Sequence, residues 1–238
     1  LRSLRVDTFV NYRTPIDPHS LYGPIFQALA DEQRDTLILD LRRNGGGSND
    51  AAQGLLAYLI NSPQRMHTDM RVSTLDFQDL RPYLSTWDKR ALNPNRLGFR
   101  KHPDGTYSLR AFVSDDLQRV RPKRPYFGGQ LLVLIGADNS SGSTNLAAVL
   151  AEQARTRLIG EATGGSYQGP TAGLLFTLTL PNSGIRSRLP FFRYYNNVSS
   201  AGDGRGLAPE VLVPRTFDAE RQRRDAALAA ALALASAP

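Results

Sequence analysis

The chain has 238 residues, a formal net charge of +7, 41% hydrophobic and 21% charged residues. That composition excludes a disordered or collagen-like chain and leaves room for a sizeable core. With no cysteine there is no disulfide, no thiol nucleophile and no thiolate metal site.

The excess charge is almost wholly arginine, since Lys89, Lys101 and Lys123 are the only lysines. The densest basic stretch, Arg121, Lys123 and Arg124, is too thin for a nucleic-acid surface, so the charge reads as a solvated exterior. No run approaches the roughly 18 to 20 apolar residues of a membrane span. The chain opens at Leu1 with neither an initiator methionine nor a signal peptide, and is expected to be a piece of a longer one.

In chain order, residues 3–10 alternate as a strand. Ser20 to about Asp31 places Leu21, Ile25, Phe26 and Leu29 on one helical face. Thr36 to Leu39 predicts a buried strand running into Asp40-Leu41-Arg42-Arg43-Asn44-Gly45-Gly46-Gly47, after which Ser48, Asn49 or Asp50 caps a helix. Residues 62–127, with six prolines and the only tryptophan, Trp87, predict an inserted subdomain. Within it Pro103-Asp104-Gly105 marks a hairpin, and Arg110 to Arg121 a strand leading into a short helix.

Leu131 to Ile135 is a continuous apolar run, expected to be a strand buried on both faces. A small polar turn follows, then a helix carrying Leu146, Ala147, Val149 and Leu150, and a strand over Arg157 to Gly160. Leu174 to Leu180 and Ile185 to Leu189 flank an Asn-Ser-Gly turn as a β-hairpin. Gly202 to Gly206 reads as a loop, Val211 to Val213 as a short strand, and Phe217 to about Ser236 as one terminal helix. Two strand–glycine turn–helix units therefore stand near residues 40 and 140, which argues for an α/β fold with largely parallel pairing.

Each turn has a bland reading. Three glycines make a tight turn, and a serine before a helix is an ordinary cap. Gly45-Gly46-Gly47 lacks both the phosphate-loop and dinucleotide spacings, and Asn139-Ser140-Ser141-Gly142-Ser143 is no Gly-x-Ser-x-Gly elbow. The chemical reading is that glycine N–H groups meet a substrate oxyanion while a serine sits at a helix N-terminus.

Taken together the turns resemble those of the tail-specific, or C-terminal processing, serine proteases. Asp35 to Gly47 is similar to that family's "D-LIIDLR-N-GG" stretch, and Ser140 to Ala147 to its nucleophile turn. Gly160-Glu161-Ala162-Thr163-Gly164-Gly165 resembles its "GE-TGG" turn, and Gly204 to Val211 its "G-G-I-PD-V" stretch. Leu4 to Phe9 looks like its opening strand.

The resemblance implies a crotonase/Clp-protease-like α/β core over residues 1–238 as a single catalytic-type domain, with the 62–127 insertion and no PDZ domain. It also implies acyl transfer on Ser141, with Ser140 and Ser143 as alternatives. The oxyanion would be held by Gly142 and by Gly46 or Gly47, with Glu161, Ser166 and Gln168 in support. Ser166 stands where lysine-bearing members place their base, and no lysine follows Lys123. Arg5 stands where tricorn-like members place a histidine, while His19, His67 and His102 match no family position. The substrate implied is a peptide or protein, with no cofactor or metal, and the compartment that of exported bacterial relatives. An oligomer is compatible with the chain. Two further readings fit it: an inactive binding module of the same fold, holding peptide or apolar ligands, and another acyl-processing enzyme of the crotonase type.

Overall fold

The computed structural model describes residues 1–200 and 204–236. Within the predicted 202–206 loop, Gly202 and Asp203 lie outside the described residues.

The chain divides into two compact units. The first holds residues 1–66, 119–168 and 196–238; the second holds 67–118 and 169–195. Much of the predicted insertion thus falls in the second unit, together with the hairpin that follows the main fold.

The N-terminal half carries β1 (Arg2–Arg5), α1 (Pro18–Asp31), β2 (Thr36–Asp40), α2 (Asn49–Leu56) and β3 (Gln64–Arg65). Next come β4 (His67–Val72), β5 (Leu84–Ser85), β6 (Phe99–Lys101), β7 (Tyr107–Leu109) and β8 (Arg119–Val120). The C-terminal half adds β9 (Gln130–Ile135), α3 (Ser141–Ala151), β10 (Thr156–Gly160), β11 (Thr171–Thr179), β12 (Arg186–Asn196) and β13 (Val211–Leu212). It ends in α4 (Phe217–Arg221) and α5 (Ala226–Ala235).

The first unit is built on a five-stranded sheet ordered β1-β2-β9-β10-β13, parallel throughout. Alternate residues of β2 and β9 enter opposite cores. Leu37, Leu39, Leu131, Val133 and Ile135 join the core that also holds side chains of α1, α2 and α3. Ile38, Leu132 and Leu134 pack with Ile159 and Ala231 of α5. Burial on both faces is why these strands read as unbroken apolar runs. Each fully buried leucine contributes about 1.5–3 kcal/mol. The short pair β3–β8 belongs to the same unit.

The second unit is a six-stranded sheet ordered β5-β11-β12-β4-β7-β6. The hairpin at Pro103-Asp104-Gly105 forms as predicted, β6 pairing antiparallel with β7. So does the β11–β12 hairpin. Met70, Leu117 and Tyr194 form a small core, beside an edge-packed cluster of Phe77, Phe176, Phe191 and Phe192.

Two predicted elements are corrected. Arg110 to Arg121 is not a strand leading into a helix: two 3₁₀ turns, Ala111–Val113 and Asp115–Leu117, precede the strand β8. The terminal helix is two helices. Arg223 takes a left-handed φ of 51°, and Asp225 caps a new start by accepting from the Leu228 N–H at 2.9 Å. No helix of the described residues is long and apolar enough to cross a membrane.

Candidate active site

Parallel strands end on one edge of the sheet, and β2 and β9 are hydrogen-bonded neighbours. The turns that follow them, Leu41–Ser48 and Gly136–Ser140, therefore leave the sheet side by side. Two buried asparagines fasten these turns. Asn44 Oδ1 accepts from the Gly46 N–H at 2.8 Å while Nδ2 donates to the Val6 carbonyl at 3.1 Å. Asn139 Oδ1 accepts from the Gly136 N–H at 2.7 Å. Its Nδ2 reaches the Leu41 carbonyl, the Asn44 carbonyl at 3.3 Å and Ser143 Oγ at 2.9 Å. One amide thus ties both turns to the head of α3.

The three candidate serines part company here. Ser143 is fully buried and accepts from Asn139. Ser140 Oγ donates to the Gly45 carbonyl at 2.7 Å. Ser141, half-buried at the first position of α3, makes no side-chain hydrogen bond among the described residues. Its φ of 49° lies in the left-handed region, which costs a non-glycine residue about 1–3 kcal/mol and is typical of functional turns. Nucleophile elbows hold their serine with the same kind of strain; this turn reaches it without their sequence.

Gly46 lies directly against that serine. A methyl group on Gly46, whose φ is 98°, would sit 2.8 Å from Ser141 Cβ and 2.7 Å from the Ser140 carbonyl oxygen. Only glycine fits. The Gly46 N–H is nevertheless committed to Asn44, so it is not available to a substrate oxygen. Gly47 is different. Phe9 donates to the Gly46 carbonyl and accepts from the Ser48 N–H, a parallel bridge that turns the N–H and C=O of Gly47 away from Phe9. The Gly47 carbonyl oxygen lies 3.8 Å from where a Cβ on Gly142 would be. Gly47 thus faces the head of α3, where the Gly142 N–H belongs to the unpaired first turn of the helix and carries its positive dipole.

The third turn closes on the same helix. The Gly165 N–H donates to the Asn139 carbonyl at 2.8 Å, and a Cβ on Gly165 would meet Thr144 Oγ1 at 2.5 Å and Ser140 Cα at 2.9 Å. Ser166 follows, its Oγ buried without a hydrogen-bond partner among the described residues. Gln168 accepts through its carbonyl from the Asn196 N–H at 2.7 Å. Glu161 Oε1 takes the Arg215 N–H at 3.1 Å, tying the end of β10 to the segment after β13.

The histidines belong to other elements. His19 lies in α1 beside the Tyr58 ring, 5.9 Å away. His67 and His102 belong to the second unit, where His102 Nε2 donates to Ser108 Oγ at 2.6 Å and that hydroxyl donates to Asp69 at 2.9 Å. Sequence reasoning singled out Ser141 and the glycines but passed over Asn44 and Asn139. The signal was an asparagine in each turn, beside groups that must be satisfied once buried.

Comparison with known proteins is decisive at this point, because the profile of peptidase family S41 matches residues 4–213. The chain belongs to this family. The family includes the C-terminal processing proteases expected from the two turns. The S41 chain is 30% identical over 200 residues to the Chlamydia pneumoniae protein CPj1016/CpB1054, an alignment covering 71% of this chain and 31% of that one. Its fold is similar to a crystal structure from Parabacteroides merdae, with TM-score 0.64, 16% identity and coverage of 99% and 61%. Mature CPAF complexed with lactacystin gives TM-score 0.62, 18% identity and coverage of 98% and 50%. The photosystem II D1 C-terminal processing protease gives 0.50 and 18%, with coverage of 89% and 41%. At these identities the structural likeness establishes the fold. The S41 chain spans about half the length of the solved CPAF chain and a third of the Chlamydia pneumoniae protein.

Proposed function

We infer that this S41 chain is a serine-type peptidase domain that hydrolyses peptide bonds through an acyl-enzyme on Ser141. The observation that carries the reading is the placing of Ser141. It is strained at the head of α3, it lies against Gly46, and its hydroxyl is unengaged among the described residues while those of Ser140 and Ser143 are spent on the scaffold.

In this mechanism Ser141 Oγ attacks the scissile carbonyl carbon and its proton departs. The carbonyl oxygen becomes an oxyanion held by the Gly142 and Gly47 N–H groups. One such donor supports about 3–4 kcal/mol of barrier lowering. Collapse expels the amine, which takes up the proton that Ser141 released, and leaves the acyl-enzyme, which water hydrolyses to the acid and free Ser141. Ser166, buried and unpartnered in the turn packed on α3, passes that proton on through water toward the leaving amine. A hydroxyl does not serve as a base of its own at neutral pH. Glu161 acts through the backbone it fastens. The chain is read as one catalytic-type domain with a crotonase-like core, exported like its bacterial relatives and acting on peptide or protein substrates. CPAF and the D1 processing protease support this by fold.

One observation favours a second reading, an inactive module that binds peptide or apolar ligands. Ser141 Oγ has no histidine or lysine hydrogen-bonded to it among the described residues. Hydrolysis of a quenched fluorescent peptide library by wild type and by Ser141→Ala separates the two. Turnover that vanishes in the variant supports the peptidase. No turnover by a well-folded wild type that still binds peptides supports the module.

A further inference from the structure

The first unit holds a concave feature lined in part by the outer residues of the same turns, Arg42, Arg43 and Gly136 to Asp138. A cavity of about 840 Å³ opens at the carboxyl ends of the parallel strands, which is where open α/β sheets hold their ligands. Its volume lies in the range of pockets that enclose a ligand rather than a single ion.

Six arginines line it: Arg5, Arg42, Arg43, Arg215, Arg223 and Arg224. Four carboxylates oppose them, and three are already used. Asp40 and Asp225 grip Arg42 from two sides, at 2.7 Å each, which holds that guanidinium above its ordinary pKa. Glu161 takes the Arg215 backbone N–H. Arg5 reaches Asp7 at 3.2 Å in an exposed pair, which contributes little. Arg43, Arg223 and Arg224 make no ion pair among the described residues. The head of α5 also faces the cavity, but Asp225 caps it. The attraction for an anion therefore lies in the arginine side chains.

The extent of the cavity sets the shape of that anion. Arg5 is on β1 and Arg215 follows β13, the two edges of a five-stranded sheet. Four inter-strand spacings separate such edges by about 19 Å. No single phosphate bridges that span. An extended peptide of about six residues does, at about 3.3 Å per residue, and each guanidinium fork matches a carboxylate. The cavity also borders the candidate active site through chain continuity: Arg43 precedes Gly45 by two residues, and Asp138 precedes Ser141 by three.

We propose that this cavity is a subsite for an acidic stretch of the substrate peptide, its carboxylates held by Arg43, Arg223 and Arg224. The ligand class rests on the peptidase reading; the site itself does not.

The test separates them. Binding of a fluorescein-labelled Glu-rich hexapeptide and of its Gln counterpart is followed by fluorescence anisotropy on the Ser141→Ala protein, where nothing is cleaved. The Glu peptide is expected to bind about tenfold or more tightly than the Gln peptide, with affinity falling as salt rises. The double variant Arg223→Gln/Arg224→Gln, at exposed positions, is expected to lose about tenfold in affinity with an unchanged circular dichroism spectrum. Equal affinity for both peptides overturns the proposal, as does an unaffected double variant. Binding of inorganic phosphate without binding of the Glu peptide would make this a phosphate site and overturn it too. If the Glu peptide binds yet wild type cleaves nothing, the subsite stands and the peptidase reading falls. If wild type cleaves Glu and Gln peptides with equal kcat/KM, the reverse holds.

Discussion

The strained φ of Ser141 persists because the groups around it leave no alternative. Asn139 and Asn44 hold both flanking turns, and Gly46 leaves no room for movement toward it. A Gly46→Ala substitution forces either the left-handed backbone of residue 46 or the serine to yield. We expect it to lower stability by about 1–3 kcal/mol and to abolish peptidase activity. Chemical denaturation beside a peptide-cleavage assay checks both. Ser143→Ala should behave otherwise. It removes one of three partners of Asn139 Nδ2, which costs about 1 kcal/mol, and leaves the proposed nucleophile, Ser141, in place, so activity is expected within a few-fold of wild type. A Ser143→Ala protein that is stable but inert would move the nucleophile to Ser143. At this scale the sequence showed residue types well and bond partners poorly. Ser141 and the glycines stand out in order along the chain. That Asn44 occupies the Gly46 N–H, leaving Gly47 to face α3, depends on which amide a side chain reaches, and no spacing encodes that.

At the scale of elements, the strands of the main sheet were legible because burial on both faces writes unbroken apolar runs. The break between α4 and α5 was not, because an Ala/Leu-rich stretch continues as helix by propensity alone. The deciding residue is Asp225, which caps α5 and pairs with Arg42 at 2.7 Å. Hydrogen bonding to Arg42 outweighs burial and holds the Asp225 carboxyl below its ordinary value. A folded pKa below the unfolded one means the stabilisation is complete above the unfolded value, near about 4. It is lost as pH falls from there through the folded pKa. Asp225→Asn keeps a good cap and removes the charge. Its melting temperature is expected below wild type at neutral pH by the equivalent of about 1 kcal/mol or less, the gap closing as pH drops below about 4. A gap constant down to pH 3 would place the effect in the cap rather than the ion pair.

At the scale of the whole molecule, the 62–127 stretch was legible as different in composition but not in partnership. The second unit draws β11 and β12 from beyond residues 119–168 to complete its sheet. Short strands such as Leu84–Ser85 carry no periodic signal of their own, and only pairing makes them strands. The first unit carries all the residues expected of the reaction, from Gly46 to Gln168, and the family assignment extends over both units. The proposed mechanism turns on one atom, Ser141 Oγ. The most direct test treats the purified protein with a fluorophosphonate and maps the adduct by mass spectrometry of its peptides. A single phosphonylated residue, Ser141, is expected, with no adduct in Ser141→Ala. An adduct on Ser140 or Ser143, or a folded wild type that never labels while binding peptides, would contradict it.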